Sequence, residues 1–210
     1  MEQTQIEIAK KLLEIEAVRI QPLTPFTWAS GWKSPIYCDN RKILSFPEVR
    51  SLICNKFVEI IRKKYPDTEV IAGVATGAIA HGVLVADRLG LPFIYVRSSQ
   101  KGHGLENLIE GKLKQRQKVL VIEDLVSTGD SSLKAASAII SFGAVVTGML
   151  SIFTYNFDVA NNKFQEANLE LTPLSNYNVL IEQSLEEGTI TKEQINTLME
   201  WRKNPEQWGK

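Results

Sequence analysis

Apolar residues recur along this chain first at helical and then at strand spacing, and the order of the two patterns predicts the fold. Over residues 3–17, Ile8, Leu12 and Ile15 share one helical face, with Ile6, Ala9 and Leu13 beside them. Residues 21–44 carry Pro22, Pro25 and Pro35 without a helical period, so loop and extended segments are expected. Ser45 then opens a second helix. Ser45 and Glu48 have capping-box spacing, Pro47 falls in the first turn where its missing N–H costs nothing, and Val49, Leu52, Ile53, Phe57, Ile60 and Ile61 form one apolar face. Tyr65-Pro66-Asp67 stops it.

Beyond that point the periods alternate. Residues 69–73 read as a short apolar strand and 78–89 as a helix closed by Gly90. Residues 93–97 read as a strand and 98–111 as a polar stretch. A buried strand follows over 119–122, a helix over 130–142 with Gly143 after it, and another strand over 144–153. Apolar strands alternating with helices predict a mostly parallel central sheet flanked by helices, an α/β fold. The tail predicts a helix near 178–187 and another after Thr191, whose capping box closes at Gln194. No repeat or low-complexity segment interrupts the chain, and a single domain over 1–210 is expected.

The 210 residues are 44% hydrophobic and 23% charged, an ordinary globular balance. Lysine and arginine number 24 against 24 acidic residues, so no bulk positive field points to nucleic acid or a membrane surface. Cys38 and Cys54 lack the partners of a disulfide scaffold or zinc module and fit a reducing compartment. Residues 1–19 read as a charged amphipathic stretch rather than an apolar leader. Residues 135–157 carry no charge but are interrupted by Gly143 and several hydroxyl residues, so they read as a buried helix followed by a buried strand. A soluble, cytoplasmic protein without nucleic-acid or membrane partners is expected.

Four stretches carry candidate chemistry. In Val119-Leu120-Val121-Ile122-Glu123-Asp124-Leu125-Val126-Ser127-Thr128-Gly129-Asp130-Ser131, a buried strand runs into two adjacent carboxylates, and a small, hydroxyl-rich turn then opens a helix. Ligands of open α/β sheets bind outside the carboxyl ends of the strands. Backbone N–H groups of residues 127–131 at a helix N-terminus suit a phosphate, whereas Glu123 and Asp124 suit hydroxyls or a metal. A phosphorylated sugar satisfies both. The bland alternative is a strand whose acids merely cap the next helix. Residues 97–107 combine Arg97, Lys101 and His103 with two glycines in a stretch too polar for a core. That is either a solvated loop or a lid over a charged ligand. Residues 73–80 form a small-residue turn, with Thr76 and Gly77 at its centre, where backbone amides can approach a diphosphate or which serves packing alone. Residues 26–41 interleave Phe26, Trp28 and Trp32 with Lys33 and Arg41. They offer a planar anionic ring both stacking surface and countercharge, unless the aromatics are simply core. His81 reads as a helix residue, and Trp201 and Trp208 as packing or dimer contacts.

The 119–131 run resembles the signature of the type I phosphoribosyltransferases, which bind 5-phosphoribosyl 1-diphosphate. The Arg-x3-Lys-x-His-Gly pattern beginning at Arg97 resembles the mobile loop of the orotate phosphoribosyltransferases, and residues 26–41 resemble their substrate hood. The likeness spans roughly residues 20–155. Where many family members carry a second loop lysine this chain has Ser98, and where some carry a hood lysine and an arginine after the fifth strand it has Ala29 and Tyr155.

The resemblance implies the type I phosphoribosyltransferase fold, a five-stranded, mostly parallel sheet with an N-terminal hood. It divides the domain into a hood over about 20–45, a lid loop over 98–111 and a C-terminal extension over 156–210. It implies orotate and 5-phosphoribosyl 1-diphosphate as substrates, Mg²⁺ held mainly by substrate oxygens with no direct protein ligand, and a homodimer with the lid acting in trans. The implied catalytic residues are Arg97, Lys101 and His103. The donor site would comprise these with Thr76, Gly77, Glu123, Asp124, Leu125, Val126, Ser127, Thr128, Gly129, Asp130 and Ser131, and the orotate site Ser127, Lys33 and Arg41. Two alternatives share the 119–131 run. A purine or uracil phosphoribosyltransferase would not need the cationic aromatic hood, and a metabolite-sensing regulator would need a nucleic-acid surface.

Overall fold

A computed structural model describes residues 2–28, 31–99 and 108–208. Helix α1 (Glu2–Glu14) buries Ile8, Ala9 and Leu12 and ends before the predicted boundary, because Glu16 takes a positive φ and turns the chain. The proline-bearing segment forms two small antiparallel pairs. Strand β1 (Val18–Ile20) pairs with β4 (Ile36–Cys38), and between them β2 (Phe26–Thr27) pairs with β3 (Lys33–Ser34). A 3₁₀ turn over Asn40–Ser45 follows, capped by the Asp39 side chain.

Helix α2 (Pro47–Lys64) has Pro47 in its first turn, as predicted, but Phe46 occupies the N-cap and makes no side-chain cap. The Ser45–Glu48 capping box does not form, because Ser45 is the last residue of the 3₁₀ turn. The expected apolar face is present, with Val49, Ile53, Phe57 and Ile61 buried.

Strand β5 (Val70–Val74), helix α3 (Ile79–Leu89), strands β6 (Phe93–Val96) and β7 (Ile109–Glu110), strand β8 (Lys118–Val126), helix α4 (Asp130–Phe142) and strand β9 (Val145–Thr154) follow in turn. The tail adds helix α5 (Asp158–Glu166), strand β10 (Leu171–Asn176), helix α6 (Tyr177–Glu186) and helix α7 (Lys192–Lys203). The Thr191–Gln194 capping box forms as expected.

The main sheet has six strands in the order β10-β9-β8-β5-β6-β7, parallel except for β7. The expected five-stranded count is therefore corrected. Strand β7 lies at the end of the stretch assigned to the lid and pairs antiparallel with β6. Strand β10 lies where Pro173 and Asn176 suggest a turn. Its edge position explains the proline, since an edge strand tolerates a missing ladder donor.

Alternate residues of the central strands feed two apolar layers. Ile71, Leu120, Ile122 and Leu150 pack with α1, α2, α3, α6 and α7, whereas Val70, Val119, Val121 and Met149 pack with α4 and α5. Chain order reverses between β5, which leads outward to β6, and β8, which leads the other way to β9. Their crossover helices α3 and α4 cover opposite faces, and such a switch point opens a crevice at the carboxyl ends of the two strands.

The tail underpins the hood. Trp201 is fully buried, donates Nε1–H to the Lys33 carbonyl at 3.2 Å and packs against Trp28, Tyr155, Phe157 and Tyr177. Trp201→Ala should cost about 3–5 kcal/mol, as expected for emptying a large aromatic site. Calorimetry should register this as a fall of roughly 10 °C in Tm. A fall below about 2 °C would separate the tail from the hood's foundation.

Candidate active site

Strand β8 outruns β5. The two pair from Val70↔Val119 to Gly73↔Ile122, after which β5 turns away, while β8 stays paired with β9 as far as Val126↔Thr154. Glu123 and Asp124 therefore lie within the last part of a strand, not beyond its end as the apolar run 119–122 suggests. They open on a cleft of about 420 Å³ at the switch point, a size that accommodates a small-molecule ligand. Its lining combines Asp39, Asn40 and Arg41 from the hood side, Thr76 and Gly77 after β5, and Glu123, Asp124, Leu125 and Ser131.

The two acids differ in environment. Glu123 is only 3% exposed; its Oε1 accepts from the Asp124 N–H at 3.0 Å and its Oε2 from the Ser132 hydroxyl at 2.9 Å. Burial, reinforced by the adjacent Asp124 charge, holds the Glu123 carboxyl well above the ordinary glutamate range. Burial also raises Asp124, though its hydrogen bonds and the Arg41 charge oppose that rise. Glu123 is therefore the more strongly raised of the two carboxyls, and Asp124 the one whose surroundings resist the rise. The Asp124 carboxylate lies directly against Gly77, where a Cβ would overlap it. The Asp124 carbonyl accepts from Asn40 Nδ2 at 2.6 Å, so a hood residue braces the acid pair.

The turn after β8 ends in Gly129, whose φ of 83° suits glycine and which forms the N-cap of α4. A Cβ at Gly129 would stand 3.2 Å from the Phe164 ring of α5. Thr128 Oγ1 donates to Asp130 Oδ2 at 2.7 Å, and Lys163 Nζ donates to Asp130 Oδ1 at 2.6 Å. Val126 is buried in the core rather than turned to the cleft. Ser127 is half-buried beside it, and the cleft lining reaches α4 through Ser131.

Of the two hood cations, Arg41 lines the cleft, with Nε bound to Asp39 Oδ1 at 2.6 Å. Lys33 does not line it, and its Nζ donates to Thr27 Oγ1 at 2.8 Å. Arg97 is placed at the end of β6, where it faces Glu110 of β7 at 3.6 Å. Lys101 and His103 lie outside the described residues, as does Ala29. Of the three aromatics expected to stack on the base, none is among the cleft-lining residues, and Trp32 stacks on Trp28 at 6.4 Å between ring centroids. Phe26 packs on Tyr37 with Arg19 over both rings, and Trp28 packs on Tyr155 and Trp201, so these rings build the hood rather than line the cleft. Burial drives the His81 pKa down to about 4, and this neutral core residue does not line the cleft, as expected for a helix position.

Two residues, Asn40 and Lys163, make contacts that the sequence does not announce. Asn40 stands inside a recognisable motif, but its partner is distant in the chain. Lys163 stands in a polar segment where no helix is expected.

The sheet order, the switch-point cleft and the acid pair beside a helix N-terminus define a phosphoribosyltransferase, and residues 42–156 match the family model described as the phosphoribosyl transferase domain. The orotate phosphoribosyltransferase of Porphyromonas gingivalis is 58% identical over 96% of this chain and 96% of its own length. That of Listeria innocua is 52% identical over 97% of this chain and 98% of its own. The crystal structure of orotate phosphoribosyltransferase from Aeropyrum pernix is 26% identical and superposes with a TM-score of 0.76, over 88% of this chain and 99% of that one. The chain belongs to the orotate phosphoribosyltransferase family.

Gly77→Ala should displace the Asp124 carboxylate and lower kcat/KM for the ribosyl donor at least tenfold, equivalent to about 1.4 kcal/mol. Steady-state kinetics showing less than a twofold change would remove Asp124 from the donor site. Glu123 binds its proton more tightly folded than unfolded. Its ionisation therefore destabilises the fold progressively as pH rises from the ordinary value of 4.5 through the raised folded value, and not at all below both. Glu123→Gln removes that penalty, so the variant's Tm advantage over the wild type should grow by at least about 2 °C between pH 5 and pH 8. Parallel melting curves that keep a constant offset would contradict the assignment.

Proposed function

We propose that this chain transfers the 5-phosphoribosyl group from 5-phosphoribosyl 1-diphosphate to orotate, giving orotidine 5′-phosphate and diphosphate in cytoplasmic pyrimidine synthesis. The observation that carries the reading is that Asp124, set against Gly77, lines one cleft with the Gly77 turn and with Ser131 in the first turn of α4. Hydroxyl-accepting oxygen and phosphate-accepting amides thus flank one cleft.

In the reaction the ribose C1–O bond breaks, the diphosphate leaves with the electron pair, a C1–N bond forms to the base, and that ring nitrogen gives up its proton, which balances the one the diphosphate takes up. Charge develops positive on the ribose and negative on the leaving group, so the site must stabilise charge rather than supply a covalent nucleophile. Asp124 accepts from the ribose hydroxyls, with Glu123 as its buried support, and the amides of residues 127–131 hold the 5-phosphate. Thr76 and Gly77 bring backbone N–H groups to the diphosphate. Arg97, Lys101 and His103 face the leaving diphosphate, with Lys101 or His103 supplying the proton it takes up. Ser127 stands nearest the orotate ring. Arg41 is favoured over Lys33 for the orotate carboxylate, because it lines the cleft and Lys33 does not.

Phosphoribosyltransferases generally use Mg²⁺ with their donor. Among the described residues no group of three ligating side chains is present, while Asp124 offers a hard carboxylate oxygen at the cleft. That donor set fits an ion that takes most of its ligands from diphosphate and water, with Asp124 nearby. Bound there, the ion would neutralise charge on the leaving diphosphate. The family likeness supports a homodimer in which each chain's lid reaches its partner's cleft.

Separate assays with orotate, uracil and hypoxanthine, each with donor and Mg²⁺, test the reading. Turnover of orotate alone, abolished by chelation, is expected. Turnover of hypoxanthine or uracil at a comparable rate would overturn the base assignment. Tight donor binding without any turnover would favour a metabolite-sensing role.

A further inference from the structure

We propose that Lys163 is a positioning residue for the donor's 5-phosphate, an inference that rests on the reading of residues 127–131 as the phosphate loop. Asp130 is the first residue of α4. A carboxylate at a helix N-terminus is drawn to the same exposed N–H groups and dipole end that a phosphate needs, and its charge repels a phosphate that approaches. Asp130 therefore works against the site unless something cancels it.

Lys163 does so. Its Nζ donates to Asp130 Oδ1 at 2.6 Å, while Thr128 Oγ1 donates to Oδ2 of the same carboxylate at 2.7 Å. One carboxylate thus joins α5 to the loop through both of its oxygens. These partners, Lys163 first, lower the Asp130 carboxyl from its ordinary value, so it stands as an anion at neutral pH, and although water solvates its exposed side chain, Lys163 is the cation that offsets it toward the loop. Helix α5 is seated firmly enough to supply one. Ala160 and Phe164 are buried in the apolar layer that also contains α4, and the Phe164 ring abuts Gly129 within the loop itself. Lys163 is one residue before Phe164, on the same turn of α5. Its two effects are distinct: it neutralises Asp130 at the mouth of the loop, and it holds Asp130 where Thr128 is oriented by it.

The argument predicts a particular double-mutant pattern. Lys163→Met leaves an uncompensated charge beside the phosphate. It should raise donor KM about five- to tenfold, the size expected of one unit charge a few ångströms from a dianion in a high-dielectric setting. The kcat and the orotate KM should stay within twofold, and the effect should shrink as salt is raised. Adding Asp130→Asn removes the repulsion, so the double variant should recover most of the lost donor affinity. Lys163→Arg should retain it outright. Melting curves for each variant separate these effects from a loss of fold, which would lower kcat and every KM together.

Thr128→Ala serves as the internal control for the loop. If it raises donor KM and Lys163→Met does not, the Lys163 proposal fails while the phosphate loop stands. If the double variant is no better than Lys163→Met alone, neutralisation of Asp130 is the wrong account and the proposal fails. If Thr128→Ala and Lys163→Met both leave donor KM unchanged, the phosphate-loop reading fails and takes the proposal with it.

Discussion

The site depends on a mismatch in strand length. Strand β5 stops pairing with β8 at Gly73, whereas β8 runs on beside β9 to Val126, so the last residues of β8 have a neighbour on one side alone. Buried backbone groups left without a ladder must find other partners. Asp124 shows how that demand is met: its N–H goes to the Glu123 carboxylate and its carbonyl accepts from the Asn40 amide. Side chains take over where the strand ends, and in doing so they bring the hood, the acid pair and the Gly77 turn to one cleft.

The same mismatch explains why two neighbouring acids behave differently. Glu123 is turned inward, where Ser132 and the Asp124 N–H satisfy it but water cannot. Burial favours its protonated form, whereas the hydrogen bonds and the Arg41 charge around Asp124 favour the ionised form there. A pair with both charges would repel a polyanionic donor more strongly. A pair with none would offer ribose hydroxyls a weaker acceptor.

Much of this was legible in the chain and some was not. The apolar alternation located α3, α4, β5, β6, β8 and β9, because buried strands and glycine-closed helices leave strong local marks. The acid pair and the turn after it were legible for the same reason, since both belong to one contiguous run. Helix α5 and strand β10 were hidden by composition. The helix buries little beyond Ala160 and Phe164, and the strand contains Pro173, permitted there because β10 is at the sheet edge. The hood aromatics were visible, but what they pack against was not. Trp28 supplies stacking surface, yet it spends it on Tyr155 and on Trp201, which arrives from the far end of the chain. No local pattern announces a partner that distant. Asn40 and Lys163 escaped for the same reason, each acting through a contact that exists once the chain has folded.

Charge around the cleft is balanced pair by pair. Arg41 lies on Asp39 at the hood, Lys163 on Asp130 at the phosphate loop, and Arg97 near Glu110 at the base of the lid. The whole chain repeats this balance, with 24 basic residues against 24 acidic ones. On the proposed reading such a cleft does not draw in anions by a bulk field; fixed N–H groups and cations held by their partners recognise them. Exposed pairs of this kind contribute little to stability, so the one that lines the cleft, Arg41 on Asp39, is better explained by what it orients. Held by its acid, Arg41 keeps one geometry, and on the proposed reading that geometry is set before the substrate arrives.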